Sequence, residues 1–245
     1  MLERSLCPSG LALRRSVSEA SRVKSNGNGQ NGHGTAANNV GQVVTPAPAV
    51  IAELAAACVK FVEAAVGVKL DYEAETLPIL DHYLEEGRRA AKARPEAAAL
   101  VANAAGAYFG EVVRRRYASW WRTEGGDPAF YRIELGPVYL SFSPVQLIAD
   151  ALLRDDEKDE TGDKDAKEGE AEATEAGIER FEVSDDDQAA VEERLAELPA
   201  VSEREFYAPS TRLEVIDITI DAIRSRRMGE GDSGDADLTP ADYDE

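Results

Sequence analysis

Residues 95–121, PEAAALVANAAGAYFGEVVRRRYASWW, form the stretch that most constrains this fold, because a helical pattern runs almost unbroken through it. Pro95 suits a first helical position, where its missing N–H costs nothing, and the alanines after Glu96 favour propagation. At about 100° per residue, Val101, Ala104, Ala105, Tyr108 and Val112 share one arc, with Phe109 beside it and Asn103, Ala107 and Arg114 opposite. One face is expected to be core and the other solvated. Gly106 and Gly110, one turn apart, each cost roughly 1 kcal/mol relative to alanine inside a helix. Such a cost points to another backbone, a second helix or the sheet, crossing close by. Glu111 and Arg115 stand at i and i+4 on or beside the apolar arc, and the spacing predicts an ion pair between them.

Around this helix the remaining elements read as an α+β domain. Helices are expected at 49–66, with Ile51, Leu54, Ala55, Cys58, Val59, Val62 and Val66 on one stripe, and at 74–93, with Leu77, Leu80, Tyr83 and Leu84 inward. After Trp120, Trp121 and Arg122 comes the turn-forming run GGDP, then two aromatic and β-branched runs at 130–135 and 138–142 separated by Gly136-Pro137. These read as an antiparallel hairpin or one bent strand. A short helix follows at 145–153, opened by Ser143-Pro144. The apolar–charged alternation of 178–183 marks a further strand joining the hairpin. Helices at 185–198 and 210–227 close the domain, the second with Leu213, Ile216, Ile220 and Ile223 inward.

Three segments lack the large apolar groups that offset ordering entropy. They are a tail at 1–46, an insertion at 154–177 with eleven acids and four bases, and a tail at 229–245 with seven acids and no base. The organisation expected is one α+β domain over 47–228, interrupted by the acidic insertion and flanked by disordered tails. The net charge of −20 arises almost wholly after residue 153, where thirty-one acids face eleven bases. That balance argues against nucleic acid and anionic membrane as partners. No run approaches the ~20 apolar residues of a membrane span, and two cysteines, Cys7 and Cys58, imply no disulfide framework. The expected location is the cytoplasm.

The run AGAYFGEVVRRR, followed by tryptophans and a two-strand segment, resembles a group of bacterial domains in which a Gly-Ala-Tyr-x-Gly-Glu-x-x-x-Arg helix precedes a small sheet. The matching positions are Gly106, Ala107, Tyr108, Gly110, Glu111, Arg114 and Arg115, within a resemblance covering about 49–153. It implies an α+β domain and carries no activity with it.

Chemistry is sparse. There are two histidines: His33 lies among glycines in the tail, and His82 stands beside Asp81, Glu85 and Glu86, which read as a solvated helical face instead of a metal site. No nucleophile–histidine arrangement, zinc spacing or glycine-rich phosphate loop is visible, and no metal or other cofactor is expected. Glu111 is the one catalytic candidate, with Asp71 or Glu134 as a second carboxylate. A binding role accounts for more of the sequence. Tyr108, Glu111, Arg115, Trp120, Trp121 and Arg122 are the candidate binding residues, and with Phe130 and Tyr131 they concentrate aromatic and arginine side chains near one end of the long helix. The reading is a non-catalytic protein-interaction or regulatory module with a protein partner. The alternative is a small-molecule-binding protein or hydrolase using Glu111 in a cleft beside Tyr108 and Trp120/Trp121.

Overall fold

The computed structural model describes residues 46–153, 180–199, 201–231 and 237–244, all within one compact unit, Gly41–Glu245. The expected N-terminal tail, Pro46 apart, and the acidic insertion lie outside the described residues. Helix α1 (Ala49–Val66) follows its apolar stripe and ends at Gly67, which donates its N–H to the Glu63 carbonyl and, with a left-handed φ of 79°, turns the chain away from the helix axis. A 3₁₀ turn (Ala74–Thr76) leads into α2 (Leu77–Ala93), which has Pro78 at its start, and α3 (Pro95–Arg116) follows at once. Strand β1 (Ser119–Arg122) comes next, then β2 (Arg132–Leu135), β3 (Leu140–Phe142) and α4 (Pro144–Leu153). After the insertion, β4 (Phe181–Val183) joins the sheet, and α5 (Asp185–Ala196), the short α6 (Glu203–Phe206) and α7 (Pro209–Gly229) complete the helices.

The fold is α+β: seven helices and one four-stranded antiparallel sheet of order β1-β2-β3-β4 among the described residues. Two expectations need correction here. SWWR, read only as the lead into the GGDP turn, is itself an edge strand ahead of that turn, pairing Trp120 with Glu134 and Trp121 with Ile133. Phe130 stands in a 3₁₀ turn, Pro128–Phe130, outside the strand and 68 % exposed, while Tyr131 is buried. The strand expected before the C-terminal helices does join the hairpin, β4 pairing with β3 through Phe142 and Phe181.

Helix α3 is the axis of the core, and it is buried on more sides than one. From Ala104 to Val113 every residue is buried, Ala107 included, so the expected solvated face does not exist over this span. The reason is that α1 and α4 both pack against α3, and β1 meets its C-terminal end. A helix enclosed in this way needs small residues where its neighbours come closest. At Gly106 a Cβ would lie 2.5 Å from Val145 Cα and 2.8 Å from Val145 N, so the glycine admits the first turn of α4. At Gly110 a Cβ would lie 2.3 Å from two ring carbons of Trp121. The two glycines therefore serve different neighbours, a backbone and an indole.

Two buried or half-buried carboxylates tie α7 down. The Asp81 carboxylate accepts from the Ser210 N–H at 3.2 Å and from its hydroxyl, so it caps α7 from a neighbouring helix and does not belong to a purely solvated face. Asp187, fully buried at the start of α5, accepts from Arg226 Nε at 2.7 Å and Arg227 Nη2 at 3.0 Å. Cys58 is buried against the core, and burial pushes its thiol up to about 12, leaving almost no thiolate near neutrality.

Candidate functional site

The six candidate binding residues do not form one site; the structure distributes them over three places. The first is the link between α1 and α2. There Tyr108, fully buried, accepts a hydrogen bond from the Tyr72 N–H at 2.9 Å and lies 3.1 Å from the Thr76 hydroxyl. The Tyr72 ring is held between the Tyr108 ring, 4.8 Å away between centroids, and the Arg115 guanidinium, 4.2 Å from its centroid. Arg115 Nη1 also donates to the Asp71 carbonyl at 3.3 Å. These contacts hold Tyr72 at φ 68°, the one left-handed non-glycine backbone among the described residues. Asp71 fastens the same link, its carboxyl held below the ordinary range first by the Glu73 N–H and then by the Thr76 hydroxyl.

The second place lies between α3 and the inner face of the sheet, and it corrects the expected partner of Glu111. Arg114, at i+3, makes a bidentate pair with Glu111, Nε to Oε1 at 2.8 Å and Nη2 to Oε2 at 2.7 Å. Trp121 Nε1 donates to the same Oε1 at 2.8 Å. Arg115 points instead to the Tyr72 link, because on this helix the i+3 position faces the sheet with Glu111 and the i+4 position faces the α1–α2 connection. The Glu111 and Arg114 side chains are only 7 % and 10 % exposed. With both oxygens engaged by cationic or indole N–H donors, Glu111 is a structural anion that seats Trp121 over Gly110. Its bonds hold the Arg114 guanidinium above even its ordinary high pKa.

The third place is the outer face of the sheet. Side chains alternate along a strand, so Trp120 and Arg122 emerge opposite to Trp121, beside Glu134 of β2. Trp120 Nε1 donates to Glu134 Oε2, and Arg122 Nε donates to the same oxygen at 2.9 Å. Farther along, Arg132, Ser141 and Glu182 form a second polar cluster across β2, β3 and β4. Glu111, Asp71 and Glu134 thus belong to three different places, and no two of them form a carboxylate pair in one cleft.

Part of the expected acidic tail is built onto this face. Thr239 begins a 3₁₀ turn, Pro240–Tyr243, in a capping box: the Thr239 N–H and hydroxyl both donate to Asp242 Oδ2, at 2.7 and 2.8 Å. Those bonds hold the Asp242 carboxyl below its ordinary range. The Leu238 N–H donates to the Gly136 carbonyl at 2.7 Å. Arg122 Nη2 donates to the Pro240 carbonyl and to Asp244 Oδ1, both at 2.7 Å. Tyr243 inserts its ring between Tyr139, stacked at 4.4 Å, and Trp120, edge-on at 5.7 Å. Its hydroxyl accepts from the Leu140 N–H at 2.8 Å and donates to the Leu135 carbonyl at 2.8 Å, with the Val138 carbonyl at 3.1 Å. The reading of 229–245 as a wholly disordered tail therefore fails for 237–244. An isolated tyrosine among acids carries no periodicity, but the T-x-x-D spacing before it was a legible capping signal.

Burial raises the Tyr243 phenol pKa, and the Glu134 and Tyr139 charges add to the rise; Arg122, Asp242 and Asp244 are the other charged groups around it. A phenol whose pKa is raised in the docked state contributes fully below the unfolded value near 10. That contribution is lost as pH climbs through the docked value. Tyr243→Phe is expected to lower stability by about 1 kcal/mol at pH 8 through the lost hydroxyl bonds, and the gap to the parent should close above pH ~10. Thermal melts of both proteins from pH 8 to 11 test this, and a constant gap would contradict it.

Among the described residues no group of three or more His, Cys, Asp and Glu is placed to hold a metal ion, and no helix is long and apolar enough to cross a membrane. His82 lines a cleft of about 280 Å³ with Asp81, Glu85, Arg88 and Arg204. Arg88 spans that cleft's wall, donating to the Ala151 carbonyl at 2.7 Å. No protein-family model, curated protein or solved structure matches this chain.

Proposed function

We propose that this protein is a non-catalytic protein-interaction module, cytoplasmic and bacterial, whose recognition surface is the outer face of the sheet around Trp120, Arg122, Glu134 and Tyr139. The observation that carries the reading is that this face holds a short segment of the same chain, 237–244, through aromatic stacking, an arginine fork and backbone hydrogen bonds. Aromatic and arginine groups of this kind supply most of the energy at protein interfaces. Trp120 and Arg122, not Trp121 or Glu111, are the recognition residues on this reading, since Glu111, Arg114 and Trp121 satisfy one another beneath the sheet. The catalytic alternative draws no support from Glu111, whose two oxygens already accept three N–H bonds.

Site-specific photo-crosslinking in the native cell tests the reading. A crosslinker at exposed Glu182 on the outer face is expected to trap a defined protein, whereas one at exposed Glu53 on α1 is not. The product should disappear when Arg122→Ala is added. Equal labelling from both positions, or labelling indifferent to Arg122, would remove the assignment to this face.

A further inference from the structure

Residues 237–244 sit on the sheet as a ligand sits on a receptor. The apolar core among the described residues includes none of them, and six of the eight are exposed. Among the described residues, what holds the segment is a set of directional contacts: the Tyr243 ring between Tyr139 and Trp120, its hydroxyl at the Leu140 amide and the Leu135 and Val138 carbonyls, the Leu238 N–H on the Gly136 carbonyl, and Arg122 on the Pro240 carbonyl and Asp244. The turn carries its own internal fastening in the Thr239–Asp242 capping box, with Pro240 fixing the first backbone angle. A segment that organises itself loses less entropy on docking, which suits it to a compact recognition motif. Segments attached through such contacts outside the apolar core open at low free energy relative to it.

From this geometry we infer that the Trp120–Arg122–Tyr139 face is a receptor for a partner peptide of defined chemistry. That peptide is a proline-opened, self-capped turn ending in tyrosine followed by an acidic residue, and this chain's own 237–244 segment occupies the site in cis as a competitor. The inference rests on the interaction-module reading and adds to it the class of partner. Each partner element has a counterpart on the face. The tyrosine ring fills the slot between Tyr139 and Trp120, and its hydroxyl meets the β2–β3 connection. The following carboxylate meets Arg122, whose Nε is already anchored to Glu134 and whose Nη2 is thereby aimed outward. A phenylalanine in place of the tyrosine forfeits the Leu140 and Leu135 bonds, so the site selects tyrosine over its closest apolar analogue.

The test uses the full chain and a fluorescein-labelled synthetic peptide, DLTPADYDE, corresponding to 237–245. Full-length Tyr243→Ala, whose own segment has lost its anchor, is expected to bind the peptide at least tenfold more tightly than the parent chain, by fluorescence anisotropy. The peptide carrying the same Tyr243→Ala change should bind at least tenfold more weakly, as should the wild-type peptide to a Tyr243→Ala/Arg122→Ala chain. No binding to folded Tyr243→Ala at 1 mM peptide would overturn the inference, and so would binding indifferent to the peptide's tyrosine. Self-association of Tyr243→Ala is not expected; a parent chain that dimerises by exchanging its segments would overturn it too, by making a second copy the occupant. Should Tyr243→Ala fail to fold, amide exchange in the parent decides. A Leu140 N–H exchanging at least tenfold faster than the amides of the β2–β3 ladder supports a displaceable segment, and exchange in step with the core overturns it. Failure of the peptide with persistence of the Glu182 crosslink would sink only the partner chemistry, whereas loss of the crosslink would sink the interaction reading itself.

Discussion

Glu111→Ala is expected to destabilise the fold by about 3–5 kcal/mol, the range for breaking a buried ion pair from one side. The loss arises mainly from what remains: an Arg114 guanidinium 10 % exposed with its bidentate partner gone, and a Trp121 indole N–H without its acceptor. Glu111→Gln should cost less, about 2 kcal/mol, since an amide oxygen still accepts while the charge is gone. Replacing both partners, Glu111→Met with Arg114→Met, is expected to cost less than Glu111→Ala alone, because both members of the bidentate pair leave together and neither loses its counterpart. Urea titration of the three variants with unchanged m-values separates these outcomes. A cost for Glu111→Ala within the ~1 kcal/mol of a surface pair would show that the side chain reaches water.

The helices were legible because their signals are local and redundant. The apolar stripe of 49–66 recurs at three- and four-residue steps and the structure puts α1 at Ala49–Val66. Leu213, Ile216, Ile220 and Ile223 all lie inward on α7 as their spacing implies. What sequence spacing does not settle is which of two neighbouring turns a side chain enters. Arg114 and Arg115 both stand within reach of Glu111, and the choice between them depended on where the sheet and the α1–α2 link would lie. Likewise the solvated face assigned to Ala107 was a reading of one helix alone, and only the packing of α1 and α4 on α3 removes it.

The sheet was half legible for a related reason. RIEL and the strands that follow alternate apolar and polar residues, whereas SWWR places two indoles side by side and shows no alternation at all. Each indole carries an N–H that must find an acceptor when covered, and here each finds a carboxylate on its own side: Glu111 beneath for Trp121, Glu134 above for Trp120. Adjacent tryptophans between a helix and a turn are thus consistent with a strand whose two faces are both used. The seating of Tyr243 was beyond reach in sequence, because its partners Trp120, Tyr139 and Leu140 lie over a hundred residues away in the chain and are joined to it by no pattern.

Gly106→Ala is expected to cost about 3 kcal/mol, the upper end of the range for overpacking a core, although alanine is the better helix former by roughly 1 kcal/mol. The added methyl would meet Val145 Cα at 2.5 Å and Val145 N at 2.8 Å. These are backbone atoms at the first turn of α4, so no rotamer change relieves the overlap; α3 and α4 must separate, loosening the contacts of Val145 and Ile148. Gly110→Ala should cost less, since its obstacle is the Trp121 ring, a side chain that can swing away at the expense of its bond to Glu111. Gly87, in α2, supplies the internal control. Its nearest obstacle is Leu152 Cδ2 at 4.0 Å, so Gly87→Ala is expected to stabilise by up to ~1 kcal/mol through helix propensity alone. Three single variants measured by denaturant unfolding should therefore rank with Gly106→Ala least stable, Gly110→Ala between, and Gly87→Ala at or above the parent. A Gly106→Ala protein as stable as Gly87→Ala would mean that α4 does not cross α3 at Gly106, and the close helix crossing that organises the core would have to be withdrawn.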